Sequence, residues 1–330
     1  MKCLQALAVI LVAAGAALGS AGPGGQQSGM PGMTMEATVS SGMITVQNDT
    51  VHRVLTIRVG PVSLRHTAAR LTMSEVRHLD FKIPFDGWLT GYHPQMVDGS
   101  GKPAPGRLLH HVAFYDLART NMLCSSKPDH IFGAGGEMND WPVQPGFGYA
   151  VRKGDRILVN TMYRNDLGKT YSNIYFQVKV NYQLAGNGTA LKGVYPAWFD
   201  VKECGNSSYD LKPGRNVNRG EFRMRYQGRL LGVGGHLHDF GNELILADAT
   251  HNKTIAVLHP KLAPNGKILS MPIVSFAHQG GYPLERGDVI KVTAIYNNPT
   301  GHELKNGAMG IVVGYFLPST PTEMAGLQRK

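Results

Sequence analysis

The stretch Asn173–Tyr182, NIYFQVKVNY, indicates the fold class of this chain because its apolar side chains recur at every second position. The apolar series runs from Ile174 to Tyr182, and Gln177 and Lys179 lie between its members. Successive side chains of a β-strand point to opposite faces of the sheet, so this period predicts a strand buried on one face. Its Ile, Val, Phe and Tyr content also favours a strand.

Similar alternating runs recur along the chain, separated by turn-rich clusters such as VDGSGKPAPG at 97–106. The runs include RILVNTMY at 156–163, FRMRYQGRLLGVGGHLHDF at 222–240, NELILADA at 242–249, DVIKVTAIYN at 288–297 and MGIVVGYFL at 309–317. Long segments with a helical period are absent, so we predict an all-β protein of two antiparallel β-sandwiches. A turn-rich break near Leu184–Tyr195 divides the prediction into domains at 43–190 and 191–330.

The segment Met1–Ala21 has the pattern of a secretory signal peptide. Lys2 supplies a positive charge, Leu4–Leu18 is an apolar run, and small residues end the segment at a cleavage site. A retained N-terminal anchor is the alternative. Residues 22–42 form a predicted flexible leader that contains Gly and Met, and no later stretch is a transmembrane candidate. We therefore expect a secreted or periplasmic protein.

Cysteine content and charge limit the function classes. Cys3 leaves with the signal peptide, and Cys124 and Cys204 are predicted to form one disulfide in an oxidising compartment. A metal ion would therefore need His, Met or carboxylate ligands. The formal net charge is +10, but the Lys and Arg residues are scattered, which indicates a cationic surface and argues against nucleic-acid binding.

Three motifs carry candidate metal ligands. His110 and His111 are adjacent in GRLLHHVAFYD, so both can approach one ion only if the strand bulges or turns. His236 and His238 in GGHLHDFG are spaced to project from the same side of a strand. Met309 precedes the apolar run in NGAMGIVVGYF. Taken singly, a structural or surface histidine pair and a core methionine are the alternatives.

The order of these motifs resembles that of the copper type II, ascorbate-dependent monooxygenases, which include the peptidylglycine α-hydroxylating and dopamine β-hydroxylating enzymes. LLHHVAFYDL at 108–117 is similar to their HHM strand, YQGRLLGVGGHLHDFGNEL at 226–244 to their HTH strand, and GAMGIVVGYF at 307–316 to the strand of their Met ligand. The resemblance covers most of Leu79–Pro318. The text LHH…YDL…GAGGEM is also similar to plant stress-up-regulated nodulin proteins.

The resemblance implies two jelly-roll-like sandwiches in tandem, each with one copper ion, across a solvent-filled cleft. His236, His238 and Met309 match the copper site that activates O2. Two imidazoles and one thioether suit an ion that cycles between Cu(I) and Cu(II), because the soft sulfur favours Cu(I). These residues are therefore the predicted catalytic ligands.

The second copper site of the family relays an electron, and His110 and His111 match its adjacent pair. The third histidine of that site corresponds to Met162 in VNTMYRND. The site then either survives as His-His-Met or no longer relays electrons. One or two copper ions per chain are expected.

The positions that hold a substrate carboxylate in the peptide hydroxylase correspond to Gly234, Ile311 and Val313. Since these are uncharged, a substrate with a terminal carboxylate is not expected. The resemblance implies an exported copper-dependent monooxygenase that hydroxylates a C–H bond of a small organic substrate with O2 and an external, ascorbate-like reductant. The alternatives are a non-catalytic copper protein for carriage, buffering or sensing, and a β-sandwich module whose histidines are relics.

Overall fold

A computed structural model describes residues 43–66, 72–137, 140–141, 145–186 and 191–327. The predicted signal peptide (1–21) and leader (22–42) lie outside these residues. The secondary structure of the described chain is mostly β-strand, packed as several sheets, so the all-β prediction is confirmed. The jelly-roll arrangement and the domain division at residue 190 stay predictions.

The first half of the described chain forms two sheets. The strands are β1 (Met43–Asp49), β2 (Val54–Leu64), β3 (Thr72–Lys82), β4 (Gly87–Asp98), β5 (Leu109–Thr120), β6 (Pro128–Gly135), β7 (Phe147–Val151), β8 (Arg156–Asn165), β9 (Tyr171–Leu184) and β10 (Lys192–Gly193). Sheet A has the order β1-β2-β9-β4-β7-β10, and sheet B has the order β3-β8-β5-β6. The β7–β10 pair is parallel and the other pairs in these sheets are antiparallel.

The second half forms two larger and two smaller sheets. The strands are β11 (Tyr195–Asp200), β12 (Tyr209–Leu211), β13 (Gly214–Arg223), β14 (Gly228–Leu237), β15 (Gly241–Asp248), β16 (Lys253–Leu258), β17 (Lys261–Leu262), β18 (Ile268–Ser270), β19 (Val274–Ser275), β20 (Tyr282–Leu284), β21 (Val289–Asn298), β22 (Leu304–Ala308) and β23 (Gly310–Pro318). Sheet C has the order β11-β23-β14-β19, with β20 also on β14, and sheet D has the order β13-β21-β15-β16. The small sheets pair β12 with β22 and β17 with β18.

Among the residues that the structure describes, helical structure is limited to short 3-10 segments. These are Gly106–Leu108, Ala277–Gln279 and Pro321–Leu327. Within the described ranges, no helix has the length and apolar character needed to span a membrane.

The opening stretch NIYFQVKVNY lies within β9, and its apolar face is buried as predicted. Side chains at alternate positions from Ile174 to Tyr182 are at most 4% exposed. They belong to a core cluster that joins sheets A and B. Burial of each such Ile, Val or Phe side chain is worth about 1.5–3 kcal/mol. The buried Tyr163 hydroxyl donates to the Val59 carbonyl over 2.8 Å, which also joins β8 to β2.

A second core cluster joins sheets C and D, and it also takes in Met122 and Cys124 from the first half of the chain. The predicted disulfide between Cys124 and Cys204 is present, with Cα atoms 5.6 Å apart. Asn121 Oδ1 accepts the backbone N–H groups of Leu123 and Cys124, which fixes the loop that carries the first cysteine. The disulfide therefore ties the loop after β5 to the second core.

Two carboxyl groups are buried together beside β5. The side chains of Asp116 and Asp129 are at most 1% exposed, and both lie against the Tyr149 hydroxyl, at 2.8 and 3.0 Å. That hydroxyl has one proton and cannot donate to both carboxylates at once. Burial raises the pKa of Asp129 to about 7, although the Tyr149 hydrogen bond and the Arg119 charge oppose the shift.

The raised pKa of Asp129 predicts a pH-dependent loss of stability. Below pH 4 both the folded and unfolded states bind this proton, whereas between pH 4 and pH 7 the folded state alone keeps it, so stability falls as pH rises and levels off above pH 7. In Asp129→Asn, the decrease in unfolding free energy from pH 5 to pH 8 should be smaller by up to about 3 kcal/mol. Urea unfolding at both pH values measures it.

The matched control is Asp86→Asn, because the Asp86 side chain is exposed. This variant should keep the pH dependence of the parent protein. An Asp129→Asn variant with an unchanged pH dependence would show that Asp129 is not the buried proton-binding group.

Candidate metal centre

The two predicted histidine pairs lie side by side, although they come from opposite halves of the chain. His110 and His111 are near the start of β5, His236 is near the end of β14, and His238 follows that strand. The ring centroids are 4.9 Å apart for His110 and His111, 5.1 Å for His110 and His238, and 5.3 Å for His236 and His238. We call these four residues the histidine row. It is more compact than two sites separated by a solvent-filled cleft.

A β-bulge places His110 in this row. Leu109 pairs with Tyr163 and His111 pairs with Met162, so His110 is the extra residue of β5 against β8. A bulge changes the direction of one side chain and interrupts the strict alternation of faces. The imidazoles of His110 and His111 can then lie on the same side of the strand, as two adjacent histidines must if they are to bind one ion.

Glu137, which follows β6, holds the ring of His236. Its side chain is 4% exposed, and its Oε1 atom lies 2.7 Å from His236 Nδ1. A neutral His236 that donates from Nδ1 leaves a lone pair on Nε2. The Nε2 atoms of His236 and His238 are both buried and have no hydrogen-bond partner. Buried polar atoms are nearly always paired, so these two nitrogens point to a missing ligand such as a metal ion.

A buried hydroxyl connects His238 to Met309. The backbone N–H groups of His238 and Met309 donate to Tyr296 Oη over 2.8 and 3.2 Å, and the same hydroxyl donates to the Met309 carbonyl. Tyr296 belongs to β21 and is fully buried. Its hydroxyl therefore fixes the end of the H-x-H motif next to the residue that carries the predicted thioether ligand.

The electrostatic surroundings keep the middle of the row neutral. Burial lowers the pKa of His110 and His238 well below the usual 6.5, and the imidazoles of His111 and His236 lower them further. Burial also lowers the pKa of His236, but the Glu137 carboxylate outweighs it, so this pKa is raised. Neutral imidazoles are the form that binds metal ions.

An ion cluster joins the two halves of the chain beside His238. Arg107 Nη2 lies 2.7 Å from Asp166 and 3.1 Å from Asp239, and Lys267 lies 2.6 Å from Asp166. Arg164 contacts Asp239 at 3.8 Å. Asp239 therefore pairs with arginines and does not orient an imidazole.

Met162, the third ligand predicted for the electron-relay site, differs in position from two histidines of the same half of the chain, His93 and His130. Met162 lies opposite His111 across β5 and β8, and directly opposed side chains share one face of a sheet. His93 is held by Asn181 at 2.7 Å and by Asp140 at 2.6 Å. His130 stacks on Trp198 with ring centroids 3.5 Å apart. Met162 is therefore paired in register with His111, and His130 lines the same cavity as His111 and His236. The role of Met162 as a ligand stays a prediction.

A separate group of side chains with candidate metal ligands lies at the β15–β16 turn. Among the described residues, Asp248, His251 and Asp288 are the three His, Cys, Asp or Glu side chains that bring ligand atoms within 4.8 Å of one another. Asp248 already accepts from the backbone and ring of His251 and from Tyr282, and Asp288 accepts from the backbone of Glu285. Both carboxylates therefore already have a structural role, because they accept hydrogen bonds that close turns of the chain.

The donor set of the histidine row fits copper. His111, His236 and Met309 line one cavity with a volume of ≈ 270 Å³. Imidazole nitrogen and thioether sulfur are ligands that copper accepts in both oxidation states. His238 lines a smaller neighbouring cavity together with His110 and His236, so the candidate copper ligands face two adjoining cavities that share His236.

Two residues of the candidate centre, Glu137 and Tyr296, were not predicted from the sequence. Glu137 stands in GAGGEM, where Gly135 makes room for it, since a Cβ at Gly135 would lie 2.3 Å from Glu137 Oε2 and 2.8 Å from His236 Cε1. The glycine run was therefore the available signal for Glu137. Tyr296 lies in an ordinary alternating strand, and nothing in the local sequence distinguishes it.

No protein-family model matches the chain. A solved structure, an f-lectin (fucolectin) from Morone saxatilis serum, is 12% identical, with 76% of this chain and 86% of that chain covered, but its TM-score of 0.19 supports no statement about fold or function.

Two curated fungal proteins are similar in sequence. "Probable copper-dependent oxygenase M1" from Phoma sp. is 22% identical over 237 residues, 65% of this chain, and the match spans 59% of its length, less than two thirds. "Probable copper-dependent oxygenase clz3" from Cochliobolus lunatus is 24% identical over 243 residues, covering 65% of this chain and 74% of that protein.

Proposed function

We propose that this protein is a copper-dependent monooxygenase that hydroxylates a C–H bond of a small organic substrate. The observation that carries the proposal is the histidine row beside Met309, with two buried Nε2 atoms that lack partners. The names of the two similar proteins support an oxygenase that depends on copper.

The proposed reaction converts R–H and O2 to R–OH and water. The C–H bond is broken, one oxygen atom enters the C–O bond, and two electrons and two protons reduce the other oxygen atom to water. Both electrons come from an external reductant of the ascorbate type. Copper, when bound, supplies the one-electron redox chemistry with O2 that amino-acid side chains lack.

In this proposal His236, His238 and Met309 hold the copper that meets O2 and substrate. Glu137 accepts a hydrogen bond from the Nδ1–H group of His236 and so directs Nε2 toward the ion. Tyr296 keeps the backbones of His238 and Met309 together. These hydrogen bonds fix the orientation of the copper ligands, which is the role that residues behind the ligands have in metal sites.

His110 and His111, with Met162 as third ligand, hold the second copper in this proposal. The short distance between the His110 and His238 rings, 5.1 Å, gives an electron a direct route between the two pairs. The protein would act in a secreted or periplasmic location, to which the Cys124–Cys204 disulfide is suited.

Copper loading and oxygen uptake test the proposal. The purified protein is loaded with copper, copper per chain is counted, and O2 consumption with ascorbate is followed with and without substrate candidates. One or two bound copper ions with substrate-dependent O2 consumption are expected. Stoichiometric copper without turnover would support the non-catalytic copper protein instead, and a lack of stoichiometric copper would contradict both.

A further inference from the structure

The cavity next to the histidine row lies between sheets B and C. Its walls come from β5 and β6 on one side and from β11 and β23 on the other, and His111, His236 and Met309 are among its lining residues. Its volume of ≈ 270 Å³ lies just below the range of about 300–1,000 Å³ that is usual for ligand sites in proteins. A small molecule bound there would lie directly against the proposed copper ligands.

The cavity lining is aromatic and aliphatic. Its large side chains include Tyr115, Phe132, Trp141, Trp198, Ile311 and Tyr315. Among the described lining residues there is no Lys or Arg, and the acidic one, Glu137, is paired with His236. A charged ligand would therefore lose its hydration without gaining an opposite charge, which costs several kcal/mol.

Close packing of aromatic rings builds this uncharged wall. Trp141 meets Tyr315 edge-to-face with centroids 5.3 Å apart, and it lies over Gly234, where an added Cβ would be 3.1 Å from Trp141 Cζ2. Trp198 stacks on His130 and donates its indole N–H to the His130 carbonyl. Burial lowers the pKa of His130 to about 3, so its ring adds no charge.

The lining also carries uncharged polar groups. Besides the histidines and the paired Glu137, Tyr115, Tyr315, Asn206 and Ser207 contribute hydroxyl and amide groups. Such groups can orient a neutral alcohol, ketone or amide but cannot compensate for a full charge.

We propose that this cavity binds an uncharged, largely apolar organic molecule that carries a ring, and that this molecule is the substrate. The designation as substrate rests on the proposed oxygenase function, whereas the selectivity for a neutral ring compound rests on the lining alone. In the copper-free protein, anionic and cationic analogues of the same skeleton are excluded because the described lining offers no free counter-charge.

Binding to the copper-free protein tests this selectivity. The probes are 4-phenylbutanamide, 4-phenylbutanoate and 4-phenylbutylammonium, which share a skeleton and differ in charge. Equilibrium dialysis gives the affinities, and tryptophan fluorescence reports the location because two of the three tryptophans line the cavity. The amide should bind at least about tenfold more tightly than either ion.

Two variants of one cavity residue test where the amide binds and why neutral molecules are preferred. Val313→Phe fills space and should weaken amide binding about tenfold, whereas Val313→Arg should reverse the preference toward 4-phenylbutanoate. The control is Val257→Phe, at a position on β16 that is 39% exposed, and its amide affinity should not change. Circular dichroism checks that each variant is folded.

The outcomes separate this inference from the proposed function. Equal or tighter binding of either ion, no binding of any probe, or binding that Val313→Phe leaves unchanged would overturn the inference, even if copper-dependent turnover occurs. Selective amide binding in a protein that fails to bind copper would support the neutral cavity and contradict the oxygenase.

Discussion

His236→Ala should lose stoichiometric copper binding and copper-dependent O2 consumption. The variant removes a buried Nε2 atom that has no partner within the chain, and it leaves Glu137 buried without its imidazole. Copper affinity should fall by more than about 100-fold, because loss of groups that only support a ligand already costs 10–100-fold. Copper per chain after dialysis and the electron paramagnetic resonance signal of Cu(II) measure this effect independently of turnover.

Two companion variants make this test specific. Glu137→Gln keeps the size of the side chain but removes the carboxylate, and it should weaken copper binding by about 10–100-fold. His251→Ala is the control, because it alters the Asp248–His251–Asp288 group and leaves the histidine row intact. Loss of copper in His251→Ala together with retention in His236→Ala would place the metal at the β15–β16 turn.

Asp239→Asn should destabilise the fold by about 2–3 kcal/mol, because it leaves two largely buried arginines with one carboxylate fewer. Arg107 and Arg164 are 15% and 16% exposed, and both contact Asp239. The loss should also loosen His238, which is the next residue in the chain. Urea unfolding measures the stability, and copper titration measures the effect on the centre.

The matched control is Asp80→Asn, which breaks an ion pair with Arg156. That pair is more exposed, at 57% for Arg156 and 32% for Asp80, so its loss should cost less than about 1 kcal/mol. Equal effects of the two variants would show that the ion cluster at Asp239 contributes no more than a surface pair.

Much of the fold could be predicted from local patterns. The alternation in Asn173–Tyr182 predicted a half-buried strand, and β9 buries that face between two sheets. Export and two remaining cysteines predicted the Cys124–Cys204 disulfide, which the structure confirms. These predictions succeed because strand geometry repeats every two residues and a covalent pair needs only two partners.

The centre was predictable only in part. Its candidate ligands could be selected from motif order, but the contact between His110 and His238 depends on how sheets B and C meet. Glu137 follows β6 and Tyr296 lies on β21, both far in sequence from the H-x-H motif, so their contacts arise from packing of distant segments. Local spacing contains no information about such pairs.

The sequence by itself determined the all-β class, the disulfide partners and a short set of histidine and methionine candidates. Only the tertiary structure decided that the two histidine pairs form one row and that a bulge turns His110 into it. It also decided that Trp141 and Tyr315 line a cavity beside Met309. The physical reason is that side-chain faces follow from backbone periodicity within one strand. Contacts between strands depend on register, bulges and close packing, which are properties of the whole folded chain.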